Sequence, residues 1–119
     1  MGPIRFGSRV LDSLTTTPTV VILSNMKAEL LLHERHLIAE DAFVEVRIWR
    51  VPNAVSGSSH DYKYALAYVV AGQCVLRYDN EAGKGDHRHI GAVETPYRFT
   101  TPDALLADFW NDVETWRPE

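Results

Sequence analysis

A two-residue alternation of apolar and polar positions dominates the middle of the chain. From Ala28 to His36, Ala28, Leu30 and Leu32 alternate with Glu29, Leu31 and His33, and from Phe43 to Val51, Val44, Val46 and Ile48 alternate with Glu45, Arg47 and Trp49. A period of two sends successive side chains to opposite faces, so each run predicts a strand with one buried face. The connection Leu37 to Ala42 carries Glu40 and Asp41, which suits a solvent-facing turn and makes the pair a hairpin. After Pro52, the Ser-, Gly- and Asn-rich stretch Asn53 to Ser59 cannot easily continue a strand and predicts a flexible loop ending at His60. A second hairpin follows: Tyr64, Leu66, Tyr68 and Val70 share one face of a third strand, Ala71-Gly72-Gln73 supplies a turn, and Cys74, Leu76 and Tyr78 share one face of a fourth.

The period changes near the end of the chain. Thr101-Pro102-Asp103 reads as a helix N-cap, a proline at the first helical position and an acid that suits the helix dipole. Leu105, Leu106, Phe109, Trp110 and Val113 then recur at helical spacing, an apolar stripe for a sheet, and leave Asp108, Asp112 and Glu114 to water. The fold class is therefore α+β: a single antiparallel β-sheet built from hairpins and packed by a C-terminal α-helix. The pattern fixes faces and not neighbours, so strand order is open.

Residues 1–25 lack either period except at Val20 to Leu23 and read as a tail or a weak extra strand. Met26 stands directly before the patterned region and is a candidate for the true start, which leaves 26–119 as one domain. The chain has 119 residues, 45% of them hydrophobic and 24% charged, enough for one core and too few for two. The single cysteine, Cys74, excludes a disulfide framework or a four-cysteine zinc site within one chain and fits a reducing cytoplasm. No run approaches the roughly 20 apolar residues of a membrane span, and neither secretion nor membrane insertion is expected. Twelve Lys and Arg against 16 Asp and Glu give a net charge of -4, so any contact with nucleic acid must be local.

The densest chemistry lies from Tyr78 to His89, where two glycines and eight ionisable side chains read as one loop leaving a buried strand. Gly83 and Gly85 would bring Lys84 close to a ligand, but the spacing is not that of a nucleotide-binding P-loop. If Asp86 to His89 is extended, His87 and His89 share one face, and Asp86 and Arg88 the other. RNA cleavage without a metal needs a base, an acid and cations for the charge growing on phosphorus. His87 and His89, with Lys84 and Arg88, supply these parts. The same residues equally fit a plain charged turn, with the histidines as exposed hydrogen-bonders and Asp79 and Glu81 paired with Lys84 and Arg88. The HxH spacing also fits two metal ligands, with Asp79, Glu81, Asp86 or His60 completing a site, but no HExxH or paired-cysteine motif supports zinc, and no metal or cofactor is expected. A hairpin would return Tyr78 to Glu81 beside His60-Asp61-Tyr62-Lys63-Tyr64, where Lys63 suits a phosphate and Tyr62 or Tyr64 a base, unless the tyrosines only pack across strands. Arg47, Trp49 and Arg50 form a further basic-aromatic patch.

Four stretches together resemble the TumE family: Lys27 to Glu34, Glu45 to Pro52, His60 to Tyr64, and above all Tyr78 to His89. The similarity extends from about Met26 to Val113 and takes in Pro96-Tyr97-Arg98-Phe99. It implies the toxin component of a two-gene toxin-antitoxin system, with a helix-turn-helix antitoxin as partner. Together the residues and the resemblance lead us to expect a cytoplasmic, metal-independent endoribonuclease, a hydrolase leaving 2′,3′-cyclic phosphate ends. The expected catalytic residues are His87, His89, Lys84, Arg88 and Asp86, with His60, Tyr62, Lys63, Tyr78, Asp79, Asn80 and Glu81 binding RNA. The alternative is a non-catalytic toxin or binding module that blocks a cellular target, the acidic last helix docking a basic antitoxin in a hetero-oligomer, or the chain forming a homodimer.

Overall fold

The computed structural model describes residues 19–23 and 26–118. Most of the N-terminal tail therefore lies outside the described residues. The described chain runs β1 (Thr19–Leu23), β2 (Met26–Ala39), β3 (Ala42–Arg50), β4 (Tyr62–Val70), β5 (Gln73–Glu81), β6 (Gly85–Ile90), β7 (Val93–Pro96) and α1 (Pro102–Thr115). The strands lie in sequence order in one seven-stranded sheet, and every neighbouring pair is antiparallel. Among the described residues no helix is long and apolar enough to cross a membrane.

The inward set of the alternation is the core. Val44, Val46, Ile48, Tyr64, Leu66, Leu76 and Tyr78 are buried on one face and meet Leu105, Phe109 and Val113 of α1. The helix begins where the sequence places it: the Thr101 side chain accepts from the Ala104 N–H at 3.1 Å, and Pro102 occupies the first turn. Among the described residues no helix covers the opposite face of the sheet.

Several expectations need correction. Tyr78 to His89 is not a loop: β5 continues to Glu81, a turn spans Ala82 to Lys84, and β6 returns at once, because backbone pairing tolerates charged side chains that find partners on either face. The turn between β2 and β3 shrinks to Glu40 and Asp41, and that between β4 and β5 to Ala71 and Gly72. Cys74 does not share the face of Leu76 and Tyr78. Tyr68 pairs with Leu76 but Val69 pairs with Cys74, so the one-residue bulge at Val75 turns Cys74 outward, where it is exposed. A similar bulge at Leu31 pairs Leu30 with Trp49 and Leu32 with Ile48, separating two leucines expected on one face.

Asp108 and Asp112 do not simply face water. Tyr97 Oη donates to Asp108 Oδ2 at 2.6 Å, Tyr78 Oη donates to Asp112 Oδ2, and an Arg88 guanidinium nitrogen lies 3.4 Å from the same oxygen. A phenol packed against the core needs such a partner, so Asp112 bolts the helix to β5 and β6 and Asp108 ties it to the segment after β7.

Candidate functional site

The β5–β6 hairpin presents a different chemistry on each face, because the pairs Asn80–Asp86, Tyr78–Arg88, Asp79–His87 and Arg77–His89 alternate across it. The first two pairs lie on the helix side and the last two on the open side.

On the helix side Asp86 is a hub. Its Oδ1 accepts from Ser58 Oγ at 2.6 Å, and its Oδ2 from His60 Nε2 at 2.7 Å and Tyr64 Oη at 2.6 Å. His60 Nδ1 in turn accepts the Tyr62 N–H at 3.2 Å, which fixes the neutral tautomer with its proton on Nε2. The His60 ring stacks on Phe99 at 3.9 Å between centroids. Asn80, fully buried, accepts from the Tyr64 N–H and donates to the Tyr62 carbonyl. Partial burial raises the Asp86 carboxyl pKa, but the three donors outweigh it and hold the group below the usual carboxylate range. Burial, then the bond to Asp86, pushes the Tyr64 phenol well above its ordinary value. This is not a nucleophilic triad, since the Ser58 hydroxyl bonds the acid and not the histidine.

The same hub pins the loop expected to be flexible. Val51 N–H to Asp61 O closes its base at 2.9 Å, and Gly83 N–H to Ser56 O ties it to the β5–β6 turn at 2.8 Å. Gly57 and Gly85 cross so closely that a Cβ on Gly57 would sit 2.7 Å from the Gly85 nitrogen; both have positive φ, 95° and 78°. Glycine is required at that crossing for space as well as for conformation.

The open side collects other residues. One row across the sheet reads Arg47, Ala65, Asp79, His87, and the next reads Glu45, Ala67, Arg77, His89, Glu94. The two alanines of β4 form a low floor between a β2–β3 ridge, where Glu45 binds His33, Arg35 and Arg47, and a β5–β7 ridge. Burial raises the Glu45 pKa, but those partners hold the carboxyl below its usual value. On the second ridge His87 Nε2 lies 2.6 Å from Asp79 Oδ1, and Glu94 Oε2 lies 3.7 Å from Nε2 of both His87 and His89. Lys84 Nζ reaches Glu94 Oε2 at 3.3 Å, and its hydrogen bond holds that carboxyl below the usual range. Arg77 Nε lies 3.4 Å from Asp79 Oδ2.

The structure thus brings together His87, His89, Lys84 and Asp79, and aligns Lys63 and Glu81 with their face by alternation. It separates Arg88 and Asp86 from them, on the helix side. Tyr78 and Asn80 are fully buried and His60 and Tyr62 pack with Phe99, so none of these four lines the open face. Sequence reasoning missed Arg77 and Glu94. Arg77 was accessible, two residues before Asp79 on the same strand, whereas Glu94 enters only through the β6–β7 pairing.

Comparison with curated proteins and with solved structures gives no match. A family model described as "Toxin TumE" matches residues 24–117, which includes both faces of the hairpin, the pinned loop and the helix. The chain belongs to the TumE toxin family.

Proposed function

We propose that the chain is an RNA-cleaving toxin of a toxin-antitoxin system and that it works through the open face of its sheet. The observation that carries this reading is the make-up of that face: Ala65 and Ala67 form a low strip between Arg47 on β3 and Asp79 and Arg77 on β5, with His89 and Lys84 just beyond β5 and Lys63 on the same face. The Arg47, Arg77 and Lys84 side chains are each about half exposed, as phosphate contacts must be. His89 keeps a 21% exposed side chain, whereas His87 keeps 4%, so His89 is the histidine that meets a substrate and His87 supports it from behind.

Family membership implies an antitoxin. We take it to be a helix-turn-helix protein. The exposed acids Asp103 and Glu114 of α1 offer it charge, though less than the sequence suggests, since Asp108 and Asp112 already hold tyrosines.

The test uses purified chain and a defined single-stranded RNA. Discrete fragments that disappear with His89→Ala, and binding that weakens with an Arg47→Ala, Arg77→Ala double variant while its salt dependence becomes shallower, are expected. End-group analysis then reads the chemistry: 2′,3′-cyclic phosphate or 3′-phosphate ends with 5′-hydroxyls mark attack by the ribose hydroxyl, whereas 3′-hydroxyl ends with 5′-phosphates mark attack by water. Intact RNA under conditions where the folded toxin arrests growth would favour the blocking alternative.

A further inference from the structure

We propose that the open face carries a binding site for a divalent transition-metal ion of the zinc type, formed by Asp79 Oδ1, His87 Nε2 and His89 Nε2 with Glu94 as a fourth ligand. This goes beyond RNA cleavage and does not depend on it. It also departs from the metal-free site expected from the sequence.

The three donor atoms, one from each of Asp79, His87 and His89, all lie within 4.8 Å of one another. Both imidazoles turn Nε2 toward the same Glu94 oxygen, 3.7 Å away. His87 Nδ1 lies 2.9 Å from the Gly85 carbonyl, which can only accept, so Nδ1 carries a proton and Nε2 is the nitrogen whose lone pair a metal would take. An Arg77 guanidinium nitrogen lies 3.2 Å from His89 Nε2, and a guanidinium can only donate, so this Nε2 is an acceptor too, whose lone pair passes from Arg77 to the metal on binding.

His87 is 3% exposed, and its Nε2 and Asp79 Oδ1 are buried atoms without a hydrogen-bond partner. They approach to 2.6 Å, yet the contact lacks the alignment of a hydrogen bond. Two inward-facing lone pairs at this distance repel unless a proton or a metal ion lies between them, the contact lacks the alignment that a shared proton needs, and leaving buried polar atoms unmatched is costly. A metal resolves both problems. Bonds of about 2.0–2.1 Å require ligand atoms roughly 3.3 Å apart in a tetrahedron, so Asp79 and His87 open slightly and His89 closes in. Glu94 Oε2, 3.7 Å from both histidine nitrogens, completes the set by a side-chain rotation that releases Lys84.

The surroundings match what metal ligands need. The Gly85 carbonyl fixes the His87 ring from behind, and Arg77 holds the second Asp79 oxygen. Three ligands stand on paired strands and one on the adjoining β7, so little ordering remains for binding. Two imidazoles with carboxylates favour zinc and its neighbours over magnesium, which prefers an all-oxygen shell. The ion also removes an obstacle for an anionic ligand, since Asp79 and Glu94 would otherwise face it with two negative charges.

The experiment is calorimetric titration of chelator-stripped chain with Zn²⁺ alone and with Mg²⁺ alone. It is repeated on His87→Ala, His89→Ala and, as a remote control, Cys74→Ala. The expected result is one Zn²⁺ per chain, binding weakened about 100-fold or more by either histidine change and not by the control, and no comparable Mg²⁺ site. Imidazole ¹⁵N spectra of the unmutated chain, which need no variant to fold, should show Zn²⁺ moving the Nε2 resonances of His87 and His89 only. Absent Zn²⁺ binding, or binding that leaves these resonances unmoved, overturns the proposal and makes the Asp79–His87 contact a simple ion pair. Because no step uses RNA, a bound metal without cleavage sinks only the nuclease reading, and cleavage by a chain that binds no Zn²⁺ sinks only this one.

Discussion

Replacing Asp86 tests the claim that it organises the fold and not the chemistry. Its carboxylate takes three donors at 2.6–2.7 Å, from a serine in the loop, a histidine at the loop's end and a tyrosine in the core. A hydrogen bond to a charged group contributes about 1.5–3 kcal/mol, but bonds sharing one acceptor are not additive. Asp86→Ala leaves the buried Tyr64 hydroxyl unmatched and frees the loop, for an expected loss of about 3–4 kcal/mol, a large part of the roughly 5–15 kcal/mol of a typical domain. Asp86→Asn should cost about half as much: the amide oxygen can still serve His60 and Tyr64, the Ser58 hydroxyl can rotate to accept, and the bonds become neutral ones of about half the strength. Urea unfolding at neutral pH measures both. The sign with pH also follows. A carboxyl held below its unfolded value of about 3.9 contributes stability that is present above that pH and lost as pH falls through the lower folded value. The gap between the wild type and the Asn variant should therefore close in acid and stay constant above about pH 5. An Ala variant that loses less than about 1 kcal/mol would refute the hub.

Three further results are expected. Gly57→Ala should destabilise by more than Gly83→Ala, since both positions have positive φ but only the first meets the Gly85 backbone; thermal melts should give about 1 kcal/mol for Gly83→Ala and at least twice that for Gly57→Ala. Phe109→Ala, at a fully buried position against Tyr78, should cost about 3–5 kcal/mol by chemical denaturation. Tyr78→Phe should cost about 1–2 kcal/mol by unbolting Asp112, and protection of α1 amides from hydrogen exchange should drop more than that of β3.

How far the sequence could be read depended on the kind of signal. The inward faces of β3 and β4 were legible because Val44, Val46 and Ile48, and Tyr64, Leu66 and Tyr68, alternate without interruption. The helix start was legible because Thr101 and Pro102 act locally. The bulges at Leu31 and Val75 were not, since each is a mismatch between two strands and one strand cannot record it. β6 was hidden by its composition: Gly85 to Ile90 has the charge density of a loop and owes its conformation to pairing with β5. At the site, the common face of His87 and His89 followed from spacing alone, whereas the roles of Asp86 and Glu94 depend on partners 26–28 residues away or on a neighbouring strand. Asp86 carries a charge beside two histidines in the sequence, yet alternation assigns it to the other side of the sheet.

The most direct test of the account is induction of the chain in a bacterial host beside His89→Ala at matched folded levels, with RNA 5′ ends mapped within minutes and growth recorded. The account predicts discrete new ends and arrest with the wild type and neither with the variant. Arrest by both chains with unchanged RNA ends would contradict it and place the toxin's action elsewhere than the open face of the sheet.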